Sequence, residues 1–311
     1  MRDAFVKALL AEMEQDDRIV LVTGDLGFGV LRPLWDRFPE RIINAGIAEQ
    51  GMISMAAGLA MTGRTVVVYS IGNFPTLRPL EQIRNDCAYH GADVKIVCVG
   101  GGFVYGSLGM SHHATEDMSI MRAIPGIVCF APGDPAETEW VTREMLRRQG
   151  TCYLRLGRGN EPAAHEAPLT GWTFPEALTL REGKDIAILS TGGILPQCVA
   201  AAEKLAAQGI QARVVSFPCL KPLDGETVRE ILRDFSRILT VEEHTVTGGF
   251  GSAVCEIAAE EGSACRVKRL GLKDCFASEV GNQAYLRKIY GIDAEGIARE
   301  AAALCGDRGE A

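Results

Sequence analysis

Aromatic residues are scarce, at 6% of the 311-residue chain, whereas glycine is plentiful at 35. That balance argues against a β-sandwich or a coiled coil and suits an α/β protein with many small-residue turns. No block of like charge occurs, and the formal net charge is −8. A general binder of nucleic acid or of anionic membrane is thereby disfavoured, although a local basic pocket is not excluded. No apolar run approaches the roughly eighteen residues that a membrane span needs. The opening MRDAFVKALLAEMEQDD has the pattern of an amphipathic helix and not of a signal sequence. A soluble, cytoplasmic protein is the expectation. Paired metal or disulfide spacings are missing as well. The ten cysteines form no CxxC, and the five histidines form no HExxH and no Cys/His cluster. Several thiols lie in apolar runs, such as Cys98 in KIVCVGG and Cys129 in GIVCFAP. They read as small buried thiols in a reducing compartment, and no metal held by this chain alone is expected.

The length suits two domains of roughly 150 residues each. Apolar, β-branched runs alternate with helical stretches through the first half: RIVLVTGD, RTVVVYS, VKIVCVGG, GIVCFAPGD and TCYLRLGR. Continuous runs of this kind belong to parallel strands buried on both faces. The helical stretches between them include EQGMISMAAGLAM (49–61) and LRPLEQIRNDCAYH. Around residues 160–184 prolines accumulate and periodicity lapses, which predicts a linker with room for a short hairpin. The alternation resumes with DIAILSTGG, QARVVSFPCLKPLD, SRILTVEEH and CRVKRLGLKD, again separated by helices. The expectation is two doubly wound α/β domains with mainly parallel sheets, spanning 1–165 and 185–311, joined by a linker at 166–184.

Three clusters rise above this pattern. Glu49 opens an apolar, small-residue helix, where a carboxylate is also favoured simply by the helix dipole. GSLGMSHHATEDMSIMRAIPG delivers His112 and His113 just before a helix, a place where ordinary loop histidines also occur. ILTVEEHTVTGGFGSAV ends a strand in Glu242, Glu243 and His244, and its GGFGS resembles a phosphate-cradling turn without completing GxGxxG.

In this order and spacing, the clusters resemble the transketolase superfamily of thiamine diphosphate enzymes. The likeness spans residues 1 to 300 and covers the pyrimidine-binding domain and the C-terminal domain. GIAEQ with AAGLA, LEQIRND, the S-H loop with TED, MRAIPG and EEH…GGFGS carry it. The resemblance implies that Glu49 is the cofactor glutamate, hydrogen-bonded to N1′ of the aminopyrimidine. Desolvation in a small-residue pocket raises a carboxyl pKa and lets it share that proton. Phe74 matches a stacking position of the family, while Ile71 and Leu77 hold two others. Asp25 matches an aspartate near the cofactor, with an ordinary turn role as the alternative. His112 matches the histidine that meets the donor sugar near its carbonyl, and His113 stands where the family has Gln. Arg2 and Arg158 fall on positions that grip a sugar phosphate. Three positions depart from the family: Leu108 replaces an aspartate, Gly29 a serine and Gly100 a histidine.

A complete enzyme of this kind also needs G-D-G followed by Asn, because Mg²⁺ on the diphosphate takes oxygen ligands. The chain contains GDL, GDP and GDR but no GDG. The resemblance therefore implies the C-terminal subunit of a split transketolase. Its partner would be an N-terminal subunit that holds Mg²⁺, within an α₂β₂ complex containing a self-dimer, and its substrate a ketose or aldose, phosphorylated or not. The alternatives are a 1-deoxyxylulose-5-phosphate synthase-like chain, a 2-oxo acid dehydrogenase β-like subunit, and a non-catalytic assembly subunit. Retention of Glu49 and His112 speaks against the last.

Overall fold

The computed structural model describes residues 1–159, 161–165 and 169–306. The first half supplies β1 (Ile19–Thr23), β2 (Ile42–Asn44), β3 (Thr65–Ile71), β4 (Val94–Val99), β5 (Val128–Phe130) and β6 (Cys152–Leu156). They pair in parallel in the order β5-β6-β4-β3-β1-β2. Every residue of β1, β4 and β6 is buried, which is why these strands read as continuous apolar runs. Lys95 in β4 is an exception in chemistry but not in burial. Its ammonium donates to the carbonyls of Arg148 and Gly150 and pairs with Asp93 at 2.6 Å.

The second half supplies β7 (Leu178–Arg181), β8 (Ile186–Ser190), β9 (Ala212–Ser216), β10 (Cys219–Lys221), β11 (Arg237–Thr245) and β12 (Arg266–Leu272). The second sheet has the order β12-β11-β8-β9-β7, parallel except for β7. Helices pack on both sheets, so the expected pair of mainly parallel α/β sheets is present. Among the described residues, no helix is long and apolar enough to cross a membrane.

The structure differs from the sequence reading in three places. The stretch LRPLEQIRNDCAYH is not one helix. It comprises a turn at Leu80–Gln82 and a wide π-type turn at Ile83–Ala88, set off from the helical turn Phe74–Leu77 by Pro79, which has no N–H to donate. Of the expected linker, residues 166–168 lie outside the described residues, and β7 lies within the rest. β7 pairs antiparallel with β9 and so extends the second sheet. Lastly, β10 leaves the second half and adds antiparallel to β5, at the edge of the first sheet. The Lys221 ammonium at its end donates to the carbonyls of Arg122 and Ile124, tying the halves together.

In the first sheet the chain passes from β1 outward to β2 and then back to β3 on the other side. The crevice beyond the carboxyl ends of β1 and β3 is therefore a topological switch point, the usual ligand position in such sheets. Asp25 follows β1, Phe74 follows β3, the His112 loop follows β4, and Arg158 follows β6.

Candidate active site

The helix Glu49–Met61 begins where the sequence pattern places it, at the lip of this crevice. Asn44, the last residue of β2, fixes the approach. Its side-chain oxygen accepts from the N–H groups of Asp25 and Gly46, and its amide donates to Asp25 Oδ1 at 2.9 Å. Asp25 has a positive φ of 56°, which a short polar side chain bonded locally tolerates. It is exposed and serves as a turn residue at the mouth of the crevice.

Glu49 does not stand alone. Its Oε1 accepts a hydrogen bond from Arg78 Nη1 at 2.7 Å. The Arg78 guanidinium carbon lies 4.2 Å from the centroid of the Phe74 ring. The other neighbour of Phe74 is His112, edge-on at 5.2 Å between ring centroids. Glu49, Arg78, Phe74 and His112 thus form one contiguous row, and the structure brings together three residues that stand in separate sequence motifs. Arg78 carries no motif signal of its own. Ile71 closes β3 behind Phe74, half-buried, whereas Leu77 faces solvent.

The His112 loop is held by close backbone approach. Gly72 has a φ of 44°, and a Cβ there would lie 3.3 Å from the His112 carbonyl. Asn73 donates its amide to the His113 carbonyl. His112 is half-buried, and its Nδ1 lies 3.0 Å from the Ser111 hydroxyl. His113 turns the other way. It is 2% exposed, its ring packs edge-on against Phe103, and its Nε2 approaches the Gly106 carbonyl at 3.3 Å. The structure therefore does not bring His113 to the Glu49 row. Leu108 is exposed on the same loop.

Arg2 and Arg158 come together near Tyr105. A Cβ on Gly159 would lie 3.5 Å from Arg2 Nη2, and the Arg158 guanidinium carbon is 5.6 Å from the Tyr105 ring centroid. Burial pushes the Tyr105 hydroxyl pKa up, opposed by the charges of Arg158 and Arg2. Gly100, with φ of 99°, explains the ring's position. A Cβ there would lie 2.3 Å from two Tyr105 ring carbons. Tyr105 occupies the space that a side chain at position 100 would need. In sequence, Gly100 reads as a gap and carries no sign of what fills it. Gly29 stands open, with nothing near its Cβ position.

The EEH run has a different use. Glu242 accepts from the N–H groups of Phe250 and Gly251 at 2.8 and 2.9 Å, so the GGFGS helix start is occupied by the protein's own carboxylate. Glu243 accepts from the Phe103 N–H at 2.6 Å and from Gln283 and Arg287. Arg155 of β6 pairs with Asp117 at 3.0 Å and donates to the carbonyls of Ala114 and Glu243. Tyr153 donates its hydroxyl to the same Asp117 oxygen at 2.6 Å. His244 is fully buried nearby. Burial disfavours its charged form, yet the bond to Glu242 and the charges of Glu242 and Asp117 raise its pKa overall.

All ten thiols are free, and burial pushes Cys87, Cys129 and Cys198 up to about 12, so these three are inert. Asp134, Glu137 and His165 converge within 4.8 Å. Their geometry is that of a clasp: Asp134 caps the helix Pro135–Arg147 and accepts from the N–H groups of Ala164 and His165, while Glu137 bonds His165 Nε2 at 3.0 Å.

Residues 1–163 match the pyrimidine-binding domain of transketolase, and residues 176–297 match the transketolase C-terminal domain. A protein of Clostridium sp., named 6-deoxy-6-sulfo-D-fructose transketolase subunit SqwH, is 37% identical over 305 residues, covering 97% of this chain and 93% of that one. A subunit of the apulose-4-phosphate transketolase of Actinobacillus succinogenes is 34% identical over 281 residues, with 90% of each chain covered. A solved structure described as a split gene transketolase, inactive β4 tetramer, superposes with a TM-score of 0.87 at 34% identity, covering 98% and 97% of the two chains. The chain belongs to the transketolase family.

Proposed function

We propose that this chain is the C-terminal subunit of a thiamine diphosphate-dependent transketolase, a transferase that moves a two-carbon ketol unit from a ketose to an aldose. Activity then needs a separate N-terminal subunit carrying the GDG…Asn motif and Mg²⁺, in an α₂β₂ complex. Ten free thiols suit a reducing, cytoplasmic setting. The observation that carries this reading is the Glu49–Arg78–Phe74–His112 row.

That row also tests whether the cofactor fits. A guanidinium is planar, cationic and rich in N–H groups, and here it lies over Phe74 and donates to Glu49. An aminopyrimidine sharing a proton at N1′ presents the same face and the same donor. Arg78 is a built-in stand-in for that ring. Glu49 is 11% exposed and Arg78 50%, so Arg78 is the group free to move aside. Thiamine diphosphate, when bound, supplies a nucleophilic thiazolium carbon. Glu49 holds and exchanges the proton at N1′, Phe74 with Ile71 presents an apolar face to the ring, and His112 donates toward the sugar oxygen on which charge develops. Asp25 and Asn44 brace the loop leading to Glu49.

Arg2, Arg158 and Tyr105 anchor the far end of the sugar. The relatives are named for a phosphorylated sugar and for a sulfonated one, which share a terminal anionic group. Two guanidinium groups beside a phenol suit either. The test is co-purification with an N-terminal partner, followed by ketol transfer assays with thiamine diphosphate, Mg²⁺ and anionic ketose donors. Turnover by the complex and none by this chain alone is expected. Turnover by this chain alone would overturn the split-subunit reading.

A further inference from the structure

β12 forms the outer edge of the second sheet, and a cavity of about 790 Å³ opens along it. Arg266, Lys268, Arg269, Lys273 and Arg299 line it, and Glu300 is the one carboxylate that does so among the described residues. On a chain of net charge −8, the cluster of Lys268, Lys273 and Arg299 around Glu300 is a local reversal of sign. Charges on an edge strand commonly do no more than discourage sheet-to-sheet association. That purpose does not account for this arrangement, because Lys273 comes from the loop after β12 and Arg299 from the helix Ala294–Gly306. Three segments converge their cations on one space.

The interior of the cavity shows what it accepts. Glu300 sits between Lys268 at 2.6 Å and Arg299 at 3.7 Å. Its carboxyl is held below its usual range, first by the Lys268 hydrogen bond and then by the charges of Lys268, Arg299 and Lys273, with burial opposing. Arg269, the neighbour of Lys268 along β12, points to the opposite face of the sheet, where one of its terminal nitrogens donates to the Val246 carbonyl at 2.7 Å and to the Ser252 hydroxyl at 3.0 Å, so it takes no part in the cluster around Glu300. Gly291, with φ of 66°, lets Arg299 lie close to the backbone, 3.4 Å from where a Cβ would stand. One carboxylate therefore answers only part of the positive charge that Lys268, Lys273 and Arg299 bring together.

We propose that this cavity is a binding site for a small polyanion, a metabolite carrying two or more phosphate groups. The site is built wholly from the C-terminal half and draws no residue from the loops that carry Glu49, His112 or Arg158. The volume falls within the range of small-molecule pockets, and the converging guanidinium and ammonium groups match phosphate oxygens. Several cations within a Debye length repel one another, and a multivalent anion relieves that repulsion better than a monovalent one. Glu300 competes with such a ligand for Lys268 and Arg299.

The experiment is calorimetric titration of the purified full chain with inorganic pyrophosphate, tripolyphosphate and orthophosphate, at low and moderate salt. Pyrophosphate and tripolyphosphate are expected to bind, each at least about tenfold more tightly than orthophosphate, with affinity falling as salt rises. Lys273→Glu with Arg299→Glu changes two exposed side chains and is expected to weaken pyrophosphate at least about tenfold, with an unchanged melting temperature. Glu300→Gln removes the competing charge and should tighten pyrophosphate several-fold. This second variant keeps the test decisive should the charge reversal unfold the chain. Failure of pyrophosphate to bind the parent chain, equal binding by the charge-reversed variant, or weaker binding by Glu300→Gln would each overturn the proposal. So would binding of heparin alone, which would mark a surface for polymers.

Discussion

Glu49 and Arg78 form an ion pair in which one partner is held and the other is half in solvent, and this asymmetry sets the residue-scale expectations. Glu49→Gln keeps the shape and one hydrogen bond but cannot relay a proton. Turnover of the reconstituted complex should fall by about 10²-fold or more, the usual scale for general acid–base groups. A mere helix-terminal charge would instead cost roughly 0.3–1 kcal/mol of stability and leave turnover near normal. Measuring kcat and melting temperature together separates these outcomes. Arg78→Met removes the stand-in from Phe74 and Glu49. An exposed ion pair contributes about 0.2–1 kcal/mol and an exposed cation–π contact about 0.5–1 kcal/mol. Losing both should tighten thiamine diphosphate roughly 3- to 30-fold, read as the cofactor Kd of the complex by fluorescence quenching. A weaker Kd would mean that Arg78 helps to hold the cofactor and does not compete with it.

At the scale of elements, the run β11–turn–helix Phe250–Glu260 looks in sequence like a place for a bound phosphate. Glu242 fills it from inside, receiving two N–H groups at the helix start. The residues around it leave no room for anything larger: a Cβ on Gly249 would lie 2.2 Å from Glu242 Oε2. Glu242→Ala strands two buried donors, each worth about 1–3 kcal/mol when left unsatisfied. A loss of that order in urea denaturation of the chain is expected, with ketol transfer by the surviving folded complex unchanged. Unaltered stability would show that water or a solute anion replaces the carboxylate. β10 makes the complementary point. Three residues of the second half complete the edge of the first sheet, so that sheet is finished only when the second half has folded beside it.

For the whole molecule, the two halves meet at a buried polar network centred on Arg155, Asp117 and Glu243. Removing one partner leaves a charge uncompensated in the interior. Asp117→Asn keeps an acceptor for Tyr153 but strips Arg155 of its counter-ion, so a loss of about 3–5 kcal/mol is expected by chemical denaturation. Two histidines give the molecule a pH dependence. For His244 and His165 burial opposes the charge, and the Glu242 and Glu137 carboxylates outweigh it, so both pKa values are raised above 6.5. A raised value means extra proton affinity in the folded state. This stabilisation is complete below about 6.5 and is lost as pH climbs through the raised values. The melting temperature should therefore fall from pH 6 toward alkaline pH, and His165→Asn with His244→Gln should flatten that slope.

Whatever depended on neighbours in the chain was legible in the sequence. The buried parallel strands announced themselves as apolar runs, and the helix Glu49–Met61 begins and ends where its pattern does, because small residues and a first-turn carboxylate favour it locally. Glu49, Phe74 and His112 were visible as motif positions for the same reason. Short or irregular elements were not visible: the three residues of β2 and of β10 are too few to show a period, and Pro79 hides how LRPLEQIRNDCAYH divides. The remaining features are contacts across the fold. Arg78 meets Glu49 across 29 residues, and Phe103 meets Glu243 across 140. Tyr105 fills the space left by Gly100, His113 turns inward, and Lys268 and Lys273 gather with Arg299 around Glu300. No local pattern encodes such meetings. They exist because packing strands, helices and loops together, within each half and between them, decides which side chains share a dielectric, a cavity or a charge.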